Sequence, residues 1–263
     1  MHPIERIRAL ARASYLDPQL IAIEAADAIA DTSVWEGDAA AVSVARRLLA
    51  WHSFVGPLWY AAARTLHAVD PTTAACEIAE ELGSDATGSA LEAALGADMR
   101  VVTAGRGWGI DNMDSGAHLR PAGVVCREIE NADVLVVGAQ VLGPSGLIAE
   151  SPAAALVDAA VDVDVAVWAV AGRGCAVDNR LWKRLVELVS SGRTGPQSNI
   201  VSRAWWDFDE ASGSVPARDL DVIESRQIDH VVGDGGLCNF GEAALRASTT
   251  PVELIDAASA DAY

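Results

Sequence analysis

Three residues follow short apolar runs in a position to do chemistry: Ser53, Gln140 and Asp234. Ser53 comes just before Gly56-Pro57, which opens a helical stretch. It reads either as a capping or loop serine or as part of an anion-binding turn, because helix N-termini offer free N–H groups. Asp234, in Gly233-Asp-Gly-Gly236, reads as a turn residue or as a carboxylate facing a ligand. Asp111, Asp114 and His118 share one polar stretch and could form an acid–base cluster, although charged loops are usually solvated. Glu80-Glu81 reads as a pair of site acids or as a solvated loop, and Trp205-Trp206 as the cover of a partner surface or pocket mouth, or as buried side chains.

Several chemistries are excluded by what the sequence lacks. No GxxxxGK[ST] segment, GxSxG elbow or HExxH pair occurs. Gly105-Arg-Gly-Trp-Gly109 is not a dinucleotide fingerprint, so no cofactor is expected. The histidines are scattered, as are Cys76, Cys126, Cys175 and Cys238, so neither a metal site nor a disulfide framework is expected. The net charge of −18 repels polyphosphate strands and argues against general nucleic-acid binding. The N-terminus reads as an amphipathic helix rather than a signal, and no apolar run is long enough to span a membrane, so a cytoplasmic protein is expected.

The elements that must position these residues follow from periodicity. Residues 3–31 read as two helices broken at Leu16-Asp17-Pro18, with Asp17 as cap and Pro18 in the first turn. A third helix is predicted from about Asp38 to Arg47. Strands are predicted at Leu48–His52, Ala74–Ala79, Arg100–Ala104, Val134–Gly138, Val165–Val170 and His230–Val232. Helices are predicted at about 57–68, 85–97, 121–130, 152–160 and 179–190, with a further helix after Thr249. Apolar strands alternating with helices imply a Rossmann-like, doubly wound parallel sheet (46–263) behind a short helical segment (1–45). Such sheets bind ligands at the carboxyl ends of their strands. The ends to inspect are therefore His52-Ser53, Ala79-Glu80, Ala104-Gly105, Ala139-Gln140, Ala171-Gly172 and Gly233-Asp234.

Four stretches, together covering roughly residues 45–245, resemble the translation initiation factor 2B α/β/δ family, which includes methylthioribose-1-phosphate isomerase and ribose-1,5-bisphosphate isomerase. Leu48–Gly56 is similar to the family's strand and "Thr-His-Cys/Ser" turn. Ala122–Ala139 is similar to its helix and the strand ending "Val-Gly-Ala-Asp". Gly143–Ile148 resembles its "Asn-Gly-Gly-Val" turn, and Ile228–Leu237 its closing "Thr-Asp-x-Gly-Val" strand. The resemblance implies a pocket with Ser53, Gln140 and Asp234 in the catalytic places and His52, Gly56, Glu80, Gly138 and Glu150 around a ligand. It also implies a small phosphorylated or nucleotide ligand and an oligomer. The isomerases' cysteine and aspartate are replaced here by Ser53 and Gln140, and an amide cannot serve as an acid–base carboxylate. Their cationic phosphate segments read Glu80-Glu-Leu-Gly83 and Ala149-Glu-Ser-Pro152. Three readings follow: a regulatory or ligand-binding member without the isomerase pair, an aldose–ketose isomerase with relocated residues, or an enzyme with new chemistry on the 105–118 loop.

Overall fold

The computed structural model describes residues 7, 10, 17–105, 110, 128–192, 219–247 and 249–255. Asp111, Asp114, His118, Trp205 and Trp206 lie outside the described residues, as does most of the stretches 3–16, 121–130 and 192–219.

The chain begins with helices rich in alanine. α1 spans Pro18–Glu36, and its Asp17 cap accepts a hydrogen bond from the Gln19 N–H at 2.7 Å, as the Asp-Pro pair predicts. α2 (Asp38–Trp51), α3 (Gly56–His67) and α4 (Pro71–Gly83) pack around α1. Two predicted strands are corrected here: Leu48–His52 is the end of α2, and Ala74–Ala79 lies inside α4. The buried positions explain both. Ala41, Ala45, Leu48 and Leu49 are buried on α2, and Ala74, Ala75, Ile78 and Leu82 on α4. That spacing is helical, whereas a half-buried strand would alternate. Asp70 caps α4 by accepting from the N–H groups of Thr72 and Thr73, with Pro71 in the first turn.

After α5 (Thr87–Ala94) the sheet begins. β1 (Val101–Ala104), β2 (Val134–Gly143), β4 (Ala166–Val170) and β6 (His230–Gly233) are parallel neighbours in that order. β3 (Gly146–Glu150) and β5 (Leu220–Glu224) extend the sheet antiparallel beyond β2, and β7 (Gly236–Cys238) closes its other edge. α6 (Ala153–Asp162) and α7 (Asn179–Ser190) connect the strands, and α8 (Phe240–Ala244) and α9 (Val252–Ile255) end the described chain.

β2 is longer than predicted and serves two ladders. Val134–Gly138 pairs in parallel with Ala166–Val170, and Ala139–Gly143 pairs antiparallel with β3. The register shifts between Ala139 and Val141, so Gln140 occupies a bulge. All ten β2 residues are buried. Gly143 and Gly146 pair across the Pro144-Ser145 turn, where a turn was expected, and a Cβ on Gly143 would lie 2.0 Å from the Trp182 ring.

Successive side chains of the sheet enter different cores. Leu142, Leu147 and Ile223 join one built with Leu91, Leu156, Val157 and Phe240 of α5, α6 and α8. Val141, Ile148 and Leu220 join a second, with Ile29, Leu48 and Trp59 of the helical layer and Leu181 and Leu185 of α7. Helices thus cover both sides of a parallel-dominated, Rossmann-like sheet, as expected. Among the described residues, no helix is long and apolar enough to cross a membrane.

Candidate functional site

Three of the six predicted strand ends are strand ends in the structure: Gly105 after β1, Ala171-Gly172 after β4 and Asp234 after β6. Ala139-Gln140 is corrected: it lies inside β2, where the parallel ladder ends and the antiparallel one takes over. The chain leaving β4 turns through Gly172-Arg-Gly-Cys175, and its Arg173 reaches Asp234. Both Arg173 Nε (2.8 Å) and Nη2 (2.5 Å) donate to Asp234 Oδ2. The other oxygen, Asp234 Oδ1, accepts from the Ala86 N–H at 2.9 Å. That amide and the guanidinium hold the Asp234 carboxyl below its ordinary range, against the opposing push of burial.

Asp85 binds the same turn to the helical layer. Its Oδ2 accepts from the Arg173 N–H at 2.7 Å and from Gln19 Nε2 at 2.8 Å. Its Oδ1 accepts from Thr87 N at 2.8 Å and Thr87 Oγ1 at 2.5 Å. Arg173 Nη1 adds a 3.3 Å hydrogen bond to the Glu81 carbonyl at the end of α4. Glu81 itself accepts from Tyr60 Oη at 2.5 Å and from Arg64, which also reaches Glu77 at 2.9 Å. Burial pushes the Glu81 carboxyl up, but the hydrogen bonds from Arg64 and Tyr60 outweigh it and hold the group below its ordinary range. Burial, together with the bond to Glu81, raises the Tyr60 phenol. The two best-placed guanidiniums, Arg64 and Arg173, thus each hold an internal carboxylate.

The remaining predicted residues are placed differently. Ser53 Oγ donates to the carbonyls of Leu49 (2.9 Å) and Ala50 (3.3 Å), closing the end of α2. His52 Nε2 lies 2.8 Å from the Leu10 carbonyl. Glu80 is exposed on α4 and does not end a strand, because the run before it is helical. Glu150 ends β3 opposite Leu220. Gly56 and Gln140 do come together: a Cβ on Gly56 would lie 3.0 Å from the Gln140 carbonyl and 2.8 Å from Cys175 Cα. Gly138 is approached by Gly105, which has a positive φ of 85°: a Cβ added to Gly105 would lie 3.2 Å from the Gly138 carbonyl oxygen.

The sequence reading passed over Arg173, Asp85, Tyr60 and Arg64. It also missed that Cys175, rather than Ser53, packs at Gln140. The Cys175 thiol is buried, 3.6 Å from the Ala139 carbonyl and 3.8 Å from that of Gln140. Burial raises its pKa well above the ordinary thiol value, so it is held as the thiol rather than the nucleophilic thiolate. The available signal for Arg173 was its place, directly past an apolar strand and between two glycines. Among the described residues, no group of histidine, cysteine and carboxylate side chains could hold a metal. The assembled groups can hold charge and fasten two layers.

No family model matches the sequence, and no curated protein matches it. Solved structures do. eIF2B beta from Chaetomium thermophilum superposes with a TM-score of 0.68 at 11% identity, over 95% of this chain and 92% of its own. The chain has the fold of the eIF2B subunits. The translation initiation factor eIF-2B of Pyrococcus horikoshii OT3 gives 0.64 at 10% identity, over 91% of this chain and 97% of its own. The 5-methylthioribose 1-phosphate isomerase of the same organism gives 0.55 at 13%, over 90% and 85%. The expected fold is therefore met in both the initiation-factor and the isomerase versions.

Proposed function

We propose that this eIF2B-like protein is a divergent, non-catalytic member of the initiation factor 2B family, acting as a regulatory or ligand-binding subunit in the cytoplasm. One observation carries the reading. Arg173, the guanidinium that a sugar phosphate would meet at the strand ends, is already paired with Asp234, and Arg64 of α3 with Glu81. A phosphate entering there would have to compete with these carboxylates for the guanidiniums. The proton-transfer groups support the same reading. Ser53 is engaged by helix carbonyls, Gln140 is an amide in a buried bulge, and Cys175 is held as a thiol.

The eIF2B-beta2-delta2 complex of C. thermophilum, a related fold at 13% identity and a TM-score of 0.63 over 92% of this chain and 93% of its own, is tetrameric. We extend this to the present chain as a proposal: it works in an oligomer, with itself or with a related subunit. The test offers the full chain 5-methylthioribose 1-phosphate and ribose 1,5-bisphosphate, with product detection and light scattering on the same sample. No turnover and a mass above the 27.4 kDa monomer are expected. Aldose–ketose conversion that disappears in Asp234→Asn would overturn the non-catalytic reading, and a monomeric mass would overturn the assembly.

A further inference from the structure

A second feature lies between α7 and the segment 249–255. It is an open cavity of about 700 Å³, within the range of small-molecule sites. Its wall carries Arg180, Lys183 and Arg184, and Lys183 is the single lysine of the chain. The i, i+3 and i+4 spacing sets the three cations on one face of α7. In a molecule of net charge −18, such a concentration of positive charge has no counterpart in the general composition.

The wall also holds two carboxylates, Asp178 and Glu187, against its three cations. Asp178 is turned to backbone amides rather than to the basic side chains. Its Oδ1 accepts from the N–H groups of Arg180 (2.8 Å) and Leu181 (3.0 Å), and its Oδ2 accepts from that of Thr250 (2.6 Å). Glu187 pairs with Arg184 Nη1 at 2.9 Å, while the buried Arg184 Nε has no hydrogen-bond partner. Arg180 and Lys183 are exposed and form no ion pair among the described residues. Two exposed cations without an ion pair among the described residues and one under-used guanidinium therefore line the same cavity, as does the buried Ile255.

We infer that this cavity binds a small molecule carrying two or more phosphate groups, held by Arg180, Lys183 and Arg184. The phosphates bridge the two exposed cations, and the ligand body lies against Ile255 and the stems of the basic side chains. The site is separate from the Arg173–Asp234 network, so its occupancy does not depend on whether the strand ends are catalytic.

The test is calorimetric titration of the full chain with inorganic pyrophosphate at low ionic strength. Arg180→Ala/Lys183→Ala is the variant, because both side chains are exposed and their loss leaves the core intact. Wild type is expected to bind, the double variant to bind roughly tenfold more weakly or worse, and added salt to weaken wild type as it screens the cations. Asp234→Asn is expected to bind like wild type. Absence of wild-type binding, or equal binding by the double variant, overturns the inference. Tighter binding by Asp234→Asn, which frees Arg173, together with unchanged binding by the double variant would instead place the phosphate at the strand ends and overturn it too.

Discussion

Gly56 shows how a single residue sets how closely the helical layer meets the turn after β4. It opens α3, and the turn carrying Cys175 is pressed against it. A Cβ there would lie 2.8 Å from Cys175 Cα and 2.9 Å from its carbonyl. Both neighbours are backbone, so neither can rotate away. Gly56→Ala is therefore expected to destabilise the protein by about 1–3 kcal/mol through overpacking. Gly83→Ala is the matched control: it ends α4 with nothing within 4 Å of the new Cβ, and is expected to be neutral or slightly stabilising. Urea midpoints of the two variants separate a local clash from a general intolerance of alanine. This scale also shows what the sequence could reveal of the site. Asp234 was legible because a real strand precedes it, and the strand-end rule then applies. Ser53 and Glu80 were drawn in by apolar runs that are helical. Arg173 was missed because an isolated arginine matches no motif, and its partners come from sequence positions up to 92 residues away.

At the scale of the element, alanine decides how closely the helices approach. Ala22, Ala26 and Ala30 of α1 meet Ala61 of α3 and Ala75, Ile78 and Leu82 of α4 in one buried cluster. Small side chains let the backbones come near, leaving no room for a larger group. Ala26→Leu is expected to cost about 2 kcal/mol and to lower the midpoint of thermal unfolding by roughly 4–8 °C. Leu20→Ala on the exposed side of the same helix (43% accessible) should change it little. A small effect of Ala26→Leu would mean that α1 is not clamped between α3 and α4. The same alanines account for the misread elements. Leu48-Leu-Ala-Trp-His and Ala74-Ala-Cys-Glu-Ile-Ala are short apolar runs, which periodicity alone cannot assign. The Asp70-Pro71 pair carried the missing information: the identical pair at Asp17-Pro18 was read correctly as a helix start. β3 and β5 were missed for another reason. β3 returns on β2 across the Pro144-Ser145 turn, whose signal was read as a turn without the strand it starts, and β5 pairs with β3 from far along the chain, which leaves no local signal.

The whole molecule is a helical layer resting on a sheet, and its polar seam is concentrated at Asp85, Arg173 and Asp234. These three residues link Gln19 of α1, the turn between α4 and α5, and the exits of β4 and β6. The apolar contacts between layers are more extensive than this seam, so the global fold should survive its loss while local opening changes. Asp234 is the member to test because its titration has a definite sign. Its folded pKa lies below the unfolded value near 3.9. Its contribution is therefore fully present above the unfolded value and is lost as pH falls through the folded one. The side chain is 23% accessible and its partner 38%, so solvent screening keeps that contribution to about 1 kcal/mol. Asp234→Asn removes the anion and should flatten the corresponding part of the acid-unfolding curve below about pH 4. At neutral pH the same variant should raise amide hydrogen exchange roughly fivefold in the 84–87 turn and at the end of α4. The buried amides of β2 should keep their protection, because they open only with the whole sheet. Equal loss of protection in β2 and in the turn would show that the seam holds the entire fold together. No change at either place would show that the apolar contacts fasten the layers by themselves, leaving the Arg173–Asp234 pair to neutralise charge at the strand ends and nothing more.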